Sequence, residues 1–96
     1  MSTAAVSVGT TATAIAVKNY KRISLIIENN SAQVVRIGDG SGVTVASGIA
    51  LDPGIKMKWE FEGGEHHQFF YRGDIYGIVS TGTADVRVIE FVEQRT

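Results

Sequence analysis

Three stretches of this sequence hold residue types that could do chemistry: the run Gly38-Asp39-Gly40-Ser41-Gly42, the pair His66-His67 beside Glu65, and the aromatics Trp59, Phe61, Phe69, Phe70, Tyr71 and Tyr76. Glycine loops that cradle phosphate end in Gly-Lys-Ser/Thr and open a helix, whose dipole and free amides face the anion. This run leads instead into the strand-like Val43-Thr44-Val45, so it reads as a tight hairpin loop. Asp39 and Ser41 supply too few ligands for calcium, which takes roughly six or more oxygens.

Adjacent residues on a strand face opposite ways, so His66 and His67 would chelate one metal ion only if the loop bends or symmetry gathers several copies on an axis. They read as solvated turn residues, and no cofactor or metal is expected. The aromatics could stack on a sugar, but Trp59 and Phe61 fall on the apolar face of one strand and belong to the core. Phe69, Phe70 and Tyr71 cannot all point inward, so at least one of them is expected at a contact surface.

Hydrolysis needs an activated nucleophile or two poised carboxylates. With two histidines, no cysteine, and acids that mostly alternate along strands, no such constellation is legible, and the expectation is a protein that is not an enzyme. Arg72-Gly73-Asp74 spells an adhesion tripeptide, yet a turn before Ile75 accounts for it.

Period-two alternation is the dominant pattern. Ile55, Met57, Trp59 and Phe61 alternate with Lys56, Lys58, Glu60 and Glu62, as a half-buried strand requires. Ile23, Leu25 and Ile27 alternate likewise, while Ile26 breaks the pattern and points to a central strand over Arg22 to Glu28, apolar on both sides. Further strands are expected at Ala12–Lys18, Gln33–Gly38, Gly42–Ala46, Gln68–Tyr71, Ile75–Ser80 and Ala84–Val92. The last holds both Val86/Val88 and Ile89/Phe91, a change of face that a β-bulge near Val88 would accommodate, unless one face of its end meets a partner. Turn chemistry at Asn29-Asn30-Ser31, Asp52-Pro53-Gly54, Gly63-Gly64 and Thr81-Gly82-Thr83 recurs about every ten residues, the spacing of a sandwich or barrel. No helical periodicity survives the glycines and β-branched runs.

The chain has 96 residues, 44% hydrophobic and 20% charged, enough for one domain and not for two. The expectation is a single all-β sandwich, jelly-roll-like, of about eight antiparallel strands over residues 12–96, preceded by a flexible or extended N-terminal arm at 1–11. The net charge is −1 with interleaved signs, and Lys18, Lys21 and Arg22 form the only basic cluster, so neither nucleic acid nor an anionic membrane is an expected partner. Met1 to Thr13 is small and polar, and no apolar stretch reaches membrane-spanning length, so secretion and insertion are not expected either.

The run Asn19-Tyr20-Lys21-Arg22-Ile23-Ser24-Leu25-Ile26-Ile27-Glu28-Asn29-Asn30 resembles the N-x-x-R-x-x-L-x-I-x-N opening of small virion proteins of tailed bacteriophages. Val35–Gly38, Val43–Val45, Gly48–Gly54 and Ile75–Glu90 follow in the order those proteins show, so the likeness spans about Thr10 to Glu93. Glu62 to Tyr71 departs from it, being longer and more aromatic.

The resemblance implies a β-sandwich on the outside of a particle, as a capsid decoration or cement protein, a head spike, or part of a fibre or tail. It implies no catalytic residue. The expected partners are the major capsid protein or another virion protein, and further copies of the chain, with a homotrimer favoured. The expected place is the capsid surface of the virion, after synthesis in the host cytoplasm. The contacts expected are the arm, with Ser2, Thr3, Val6 and Val8, and the run Phe69, Phe70 and Tyr71. The alternative is a receptor- or carbohydrate-binding module of a tail or fibre.

Overall fold

The computed structural model describes residues 2–60 and 73–92. Within them the alternating stretches form eight strands and no helix: β1 Ser2–Val8, β2 Thr13–Ala16, β3 Arg22–Asn29, β4 Val35–Gly38, β5 Ile49–Leu51, β6 Lys56–Glu60, β7 Ile75–Ile78 and β8 Ala84–Val92. They build two sheets, ordered β1-β8-β3-β6 and β2-β7-β4-β5, with all neighbours antiparallel. The pairs β4–β5, β3–β6, β2–β7 and β1–β8 nest one inside the next, as in a single long hairpin rolled up. That is the jelly-roll arrangement. The chain changes sheet at every connection except β4 to β5.

The alternation dictates the core. Val8, Leu25, Ile27, Val86 and Val88 from one sheet meet Ile15, Val35, Ile37, Leu51 and Ile75 from the other, with Met57 and Trp59 packed at the border. Gly77 lies in the middle of β7, where a Cβ would come within 2.6 Å of Ile15 Cδ1 and 3.2 Å of Val35 Cγ1. The missing side chain lets two core residues close over the strand.

Two buried polar residues pin β3 at its ends. Arg22, fully buried, donates from Nε to Glu90 Oε2 at 2.6 Å, from Nη1 to the Gly73 carbonyl at 3.1 Å and from Nη2 to the Val17 carbonyl at 2.7 Å. Asn29, also fully buried, donates to the carbonyls of Gln33 and Leu51, and its Oδ1 accepts from the Ser31 amide and hydroxyl. Its backbone clasps the Asp52-Pro53-Gly54 turn: Asn29 N–H donates to Ile55 O, and Gly54 N–H donates to Asn29 O. Ile55 N–H closes that turn on Asp52 O, with Pro53 at the second position and Gly54 at φ 78°, as a type II turn demands. No buried side-chain nitrogen or oxygen among the described residues lacks a partner, as a native interior requires.

The structure corrects several expectations. The arm is extended, but Ser2–Val8 pairs with β8 of its own chain and forms an edge strand of the domain. Gly42 to Ala46 is not a strand. Thr44 and Ser47 bond each other's backbone and hydroxyls into a turn, and buried Val43 plugs back between Gly38 and Gly48, where added Cβ atoms would come within 2.7 and 2.9 Å of it. The loop after Gly38 is therefore long, and the returning strand is β5, Ile49–Leu51, paired with Val35–Ile37. Ile55 lies in the preceding turn and is exposed, so the inward alternation of β6 begins at Met57.

β8 carries no bulge near Val88. Its register with β3 is regular from Asn29↔Val86 to Ser24↔Phe91, and the bulge sits in β3, where Arg22 pairs with Val92 and Ser24 with Phe91. The extra residue, Ile23, turns outward, and Arg22 is returned to the inward face beside Glu90. The strand expected at Gln68–Tyr71 lies outside the described residues.

Candidate functional site

Arg22, Asp74 and Asn29 are occupied with holding loops in place. Besides the Arg22 contacts, Asp74 Oδ1 accepts the Lys18 amide at 2.7 Å, tying the β2–β3 connection to the entry of β7. Gly73 and Asp74 thus act within the fold. Burial of Arg22 splits the basic cluster, leaving Lys18 and Lys21 exposed, with the Lys18 ammonium 5.7 Å from the Tyr20 ring centre.

The glycine-rich loop borders an open depression of about 330 Å³ formed by Gly38, Asp39, Gly40, Gly42, Val43 and Ser47. No helix begins there, and Asp39 puts a carboxylate where an anion would sit. Among the described residues no three His, Cys, Asp or Glu side chains gather where they could hold a metal ion. His66 and His67 lie outside the described residues, as do Phe61, Phe69, Phe70 and Tyr71.

On the side where β5 and β6 form the edges of the two sheets, a second hollow of about 460 Å³ is lined by Ile37, Ile49, Met57 and Trp59, with Asp39 and Ser47. Trp59, expected in the core, is half-buried there and packs against it.

The outer face of the β1-β8-β3-β6 sheet carries apolar and charged side chains in register. Register places Thr3, Ile89, Ile26 and Lys58 in one row across the sheet, and Ala5, Arg87, Glu28 and Lys56 in the next. Phe91 follows Ile89 on the same face, beside Ser24. Ile26, Ile89 and Phe91 are half-buried although no second sheet lies over them among the described residues. At one border Arg87 bridges Asp85 at 3.0 Å, and Asn30 Nδ2 reaches the same carboxylate at 3.0 Å. These bonds, with the Arg87 contact the larger cause, hold the Asp85 carboxyl below its ordinary value, and Asp85 in turn raises Arg87.

Thr3 is exposed on this face, whereas Val6 packs on the core and Val8 is fully buried. Within the single chain, the side chains of Val6 and Val8 therefore serve the interior.

No protein-family profile, curated protein or solved structure matches this chain.

Proposed function

We propose that the chain is a non-enzymatic structural protein of a tailed-bacteriophage virion, a decoration or cement protein that binds the outer surface of the head in several copies and stabilises the shell. One observation carries the reading: Ile26, Ile89 and Phe91 form an apolar stripe on a sheet face that the core of the described residues does not use. An apolar centre with a charged rim is the anatomy of a protein interface, and here the rim is Arg87, Glu28, Lys56 and Lys58. The likeness of residues 10–93 to small virion proteins supplies the setting.

The mechanism is mechanical. Each copy spans neighbouring shell subunits, and many modest contacts add through multivalency without any single tight bond. Cosedimentation of the purified chain with particles that lack it tests the reading. Pelleting that no added glycan competes is expected, with loss of pelleting in Ile89→Arg at unchanged melting temperature. A chain that stays in the supernatant of every particle preparation would defeat it.

A second reading, a receptor- or carbohydrate-binding module of a tail or fibre, is favoured by the half-buried Trp59 beside Asp39 and Ser47, an aromatic platform next to polar groups. Saturable quenching of Trp59 fluorescence by a glycan, together with particles of normal strength that fail to adsorb, selects it.

A further inference from the structure

The two sheets have four edge strands among the described residues, β1 and β6 in one and β2 and β5 in the other. An open edge presents unpaired backbone groups to any passing strand, and proteins blunt such edges with charges, proline, bulges or brevity. Three of the four are blunted. β6 carries exposed Lys56 and Lys58; β5 has three residues and runs into Asp52-Pro53; β2 is bulged between Ala14 and Ala16.

β1 has none of these devices. Its seven residues, Ser2 to Val8, hold no charge, proline or glycine, and they pair with β8 in unbroken register. Such a segment on an open edge is a template for another strand.

The pattern of β1 also says which strand fits. Ala4, Val6 and Val8 lie in register with the inward Val88, Val86 and Ala84, while Thr3, Ala5 and Ser7 lie on the outer face. An antiparallel copy of β1 centred on Ala5 overlaps the full strand. It sets Ala4 against Val6 on the inward face, Thr3 against Ser7 on the outer face and Ala5 against itself, with Ser2 opposite Val8 at the two ends. Registers centred between residues would turn valines outward. A neutral edge selects no charged partner, whereas a two-fold pairing of identical edges consumes both and ends the assembly.

We infer that two copies of this chain pair antiparallel through their β1 edges, Ala5 facing Ala5 across a two-fold axis, so that their β1-β8-β3-β6 sheets continue as one. The inference rests on the reading above only for what the pair is used for; the pairing is a property of the purified chain.

Sedimentation equilibrium of the full chain over a wide concentration range tests it without any particle. The wild type is expected as a reversible dimer. Thr3→Lys combined with Ser7→Lys sets like charges opposite each other twice and should weaken association roughly tenfold or more. Thr3→Glu combined with Ser7→Lys introduces as many charges but pairs them with opposite sign, and should dimerise at least as well as the wild type. Thr3 and Ser7 are exposed, so both variants should keep the wild-type circular dichroism spectrum and melting temperature. A monomer at all concentrations, a trimer, or equal dissociation of the two variants would overturn the pairing. Loss of particle binding by an intact dimer would count against the virion reading alone.

Discussion

Arg22 and Glu90 meet inside the sandwich at 2.6 Å, a guanidinium closed to solvent against a carboxylate whose side chain is 18% exposed. The bulge at Ile23 makes the meeting possible: without the extra residue Arg22 would face outward, since Leu25 faces in and strand side chains alternate. The guanidinium then spans three segments, β8 through Glu90, the end of β2 through Val17, and the entry to β7 through Gly73.

Removing one partner of a buried pair leaves the other charge stranded, so Arg22→Met should cost about 3–5 kcal/mol of folding stability. Urea unfolding followed by Trp59 fluorescence measures it. A loss below about 1 kcal/mol would mean that the pair is not closed from water in solution.

Asn29→Ala should cost about 2 kcal/mol or more, because the carbonyls of Gln33 and Leu51 lose their Nδ2 donor inside the fold. Asn29→Asp should be worse at neutral pH, although it is nearly isosteric, since it points a second acceptor at two carbonyls. Equal midpoints in urea for the two variants would contradict the geometry.

Gly77→Ala should destabilise by about 1–3 kcal/mol through the Ile15 contact. Ile15→Val removes the Cδ1 atom that the new methyl meets. In a double-mutant cycle it should therefore cost less on the Gly77→Ala background than in the wild type, a coupling that independent sites do not show.

The Asp85 carboxyl is depressed in the folded chain, so its bonds to Arg87 and Asn30 favour folding above the unfolded pKa. That contribution fades as pH falls through the lower folded value. Asp85→Asn should therefore be slightly less stable than wild type at neutral pH, with the two curves converging in acid. Because the group is at the surface, added salt should shrink the neutral difference as well. Thermal midpoints of both proteins across pH provide the check.

Much of the fold was legible because the strong period-two stretches really are half-buried strands: β6 over Lys56–Glu60 and β3 as a central strand with apolar residues on both faces. β1 was not, since Ser, Thr and Ala give alternation no amplitude and the strand exists through its pairing with β8. Val43-Thr44-Val45 misled for the opposite reason. Its β-branched residues favour a strand, but Gly38 and Gly48 leave a gap that Val43 fills, and tertiary packing overrides propensity.

The bulge left a signal that could have been read. Arg22 stands three residues before Leu25, an odd step, so the two share a face only if a residue is inserted between them. Asn19, Arg22, Leu25, Ile27 and Asn29 of the N-x-x-R-x-x-L-x-I-x-N run all serve the fold: Asn19 bonds the Lys21 and Arg22 amides, and the other four are fully buried. The outer stripe was half visible. Ile89 and Phe91 stood out in β8, and its regular register with β3 places both on the outer face.

The nested pairing also governs when the molecule can come into being. Residue 2 bonds alongside residue 90, and β3 gains its second neighbour only when β8 is present. Among the described strands, only the β4–β5 hairpin can form from a nascent segment within one sheet, and each outer pair must wait for a later stretch to be translated. Until β8 arrives, Leu25 and Ile27 have no finished interior to enter, so the growing polypeptide is most vulnerable to wrong pairing shortly before β8 appears.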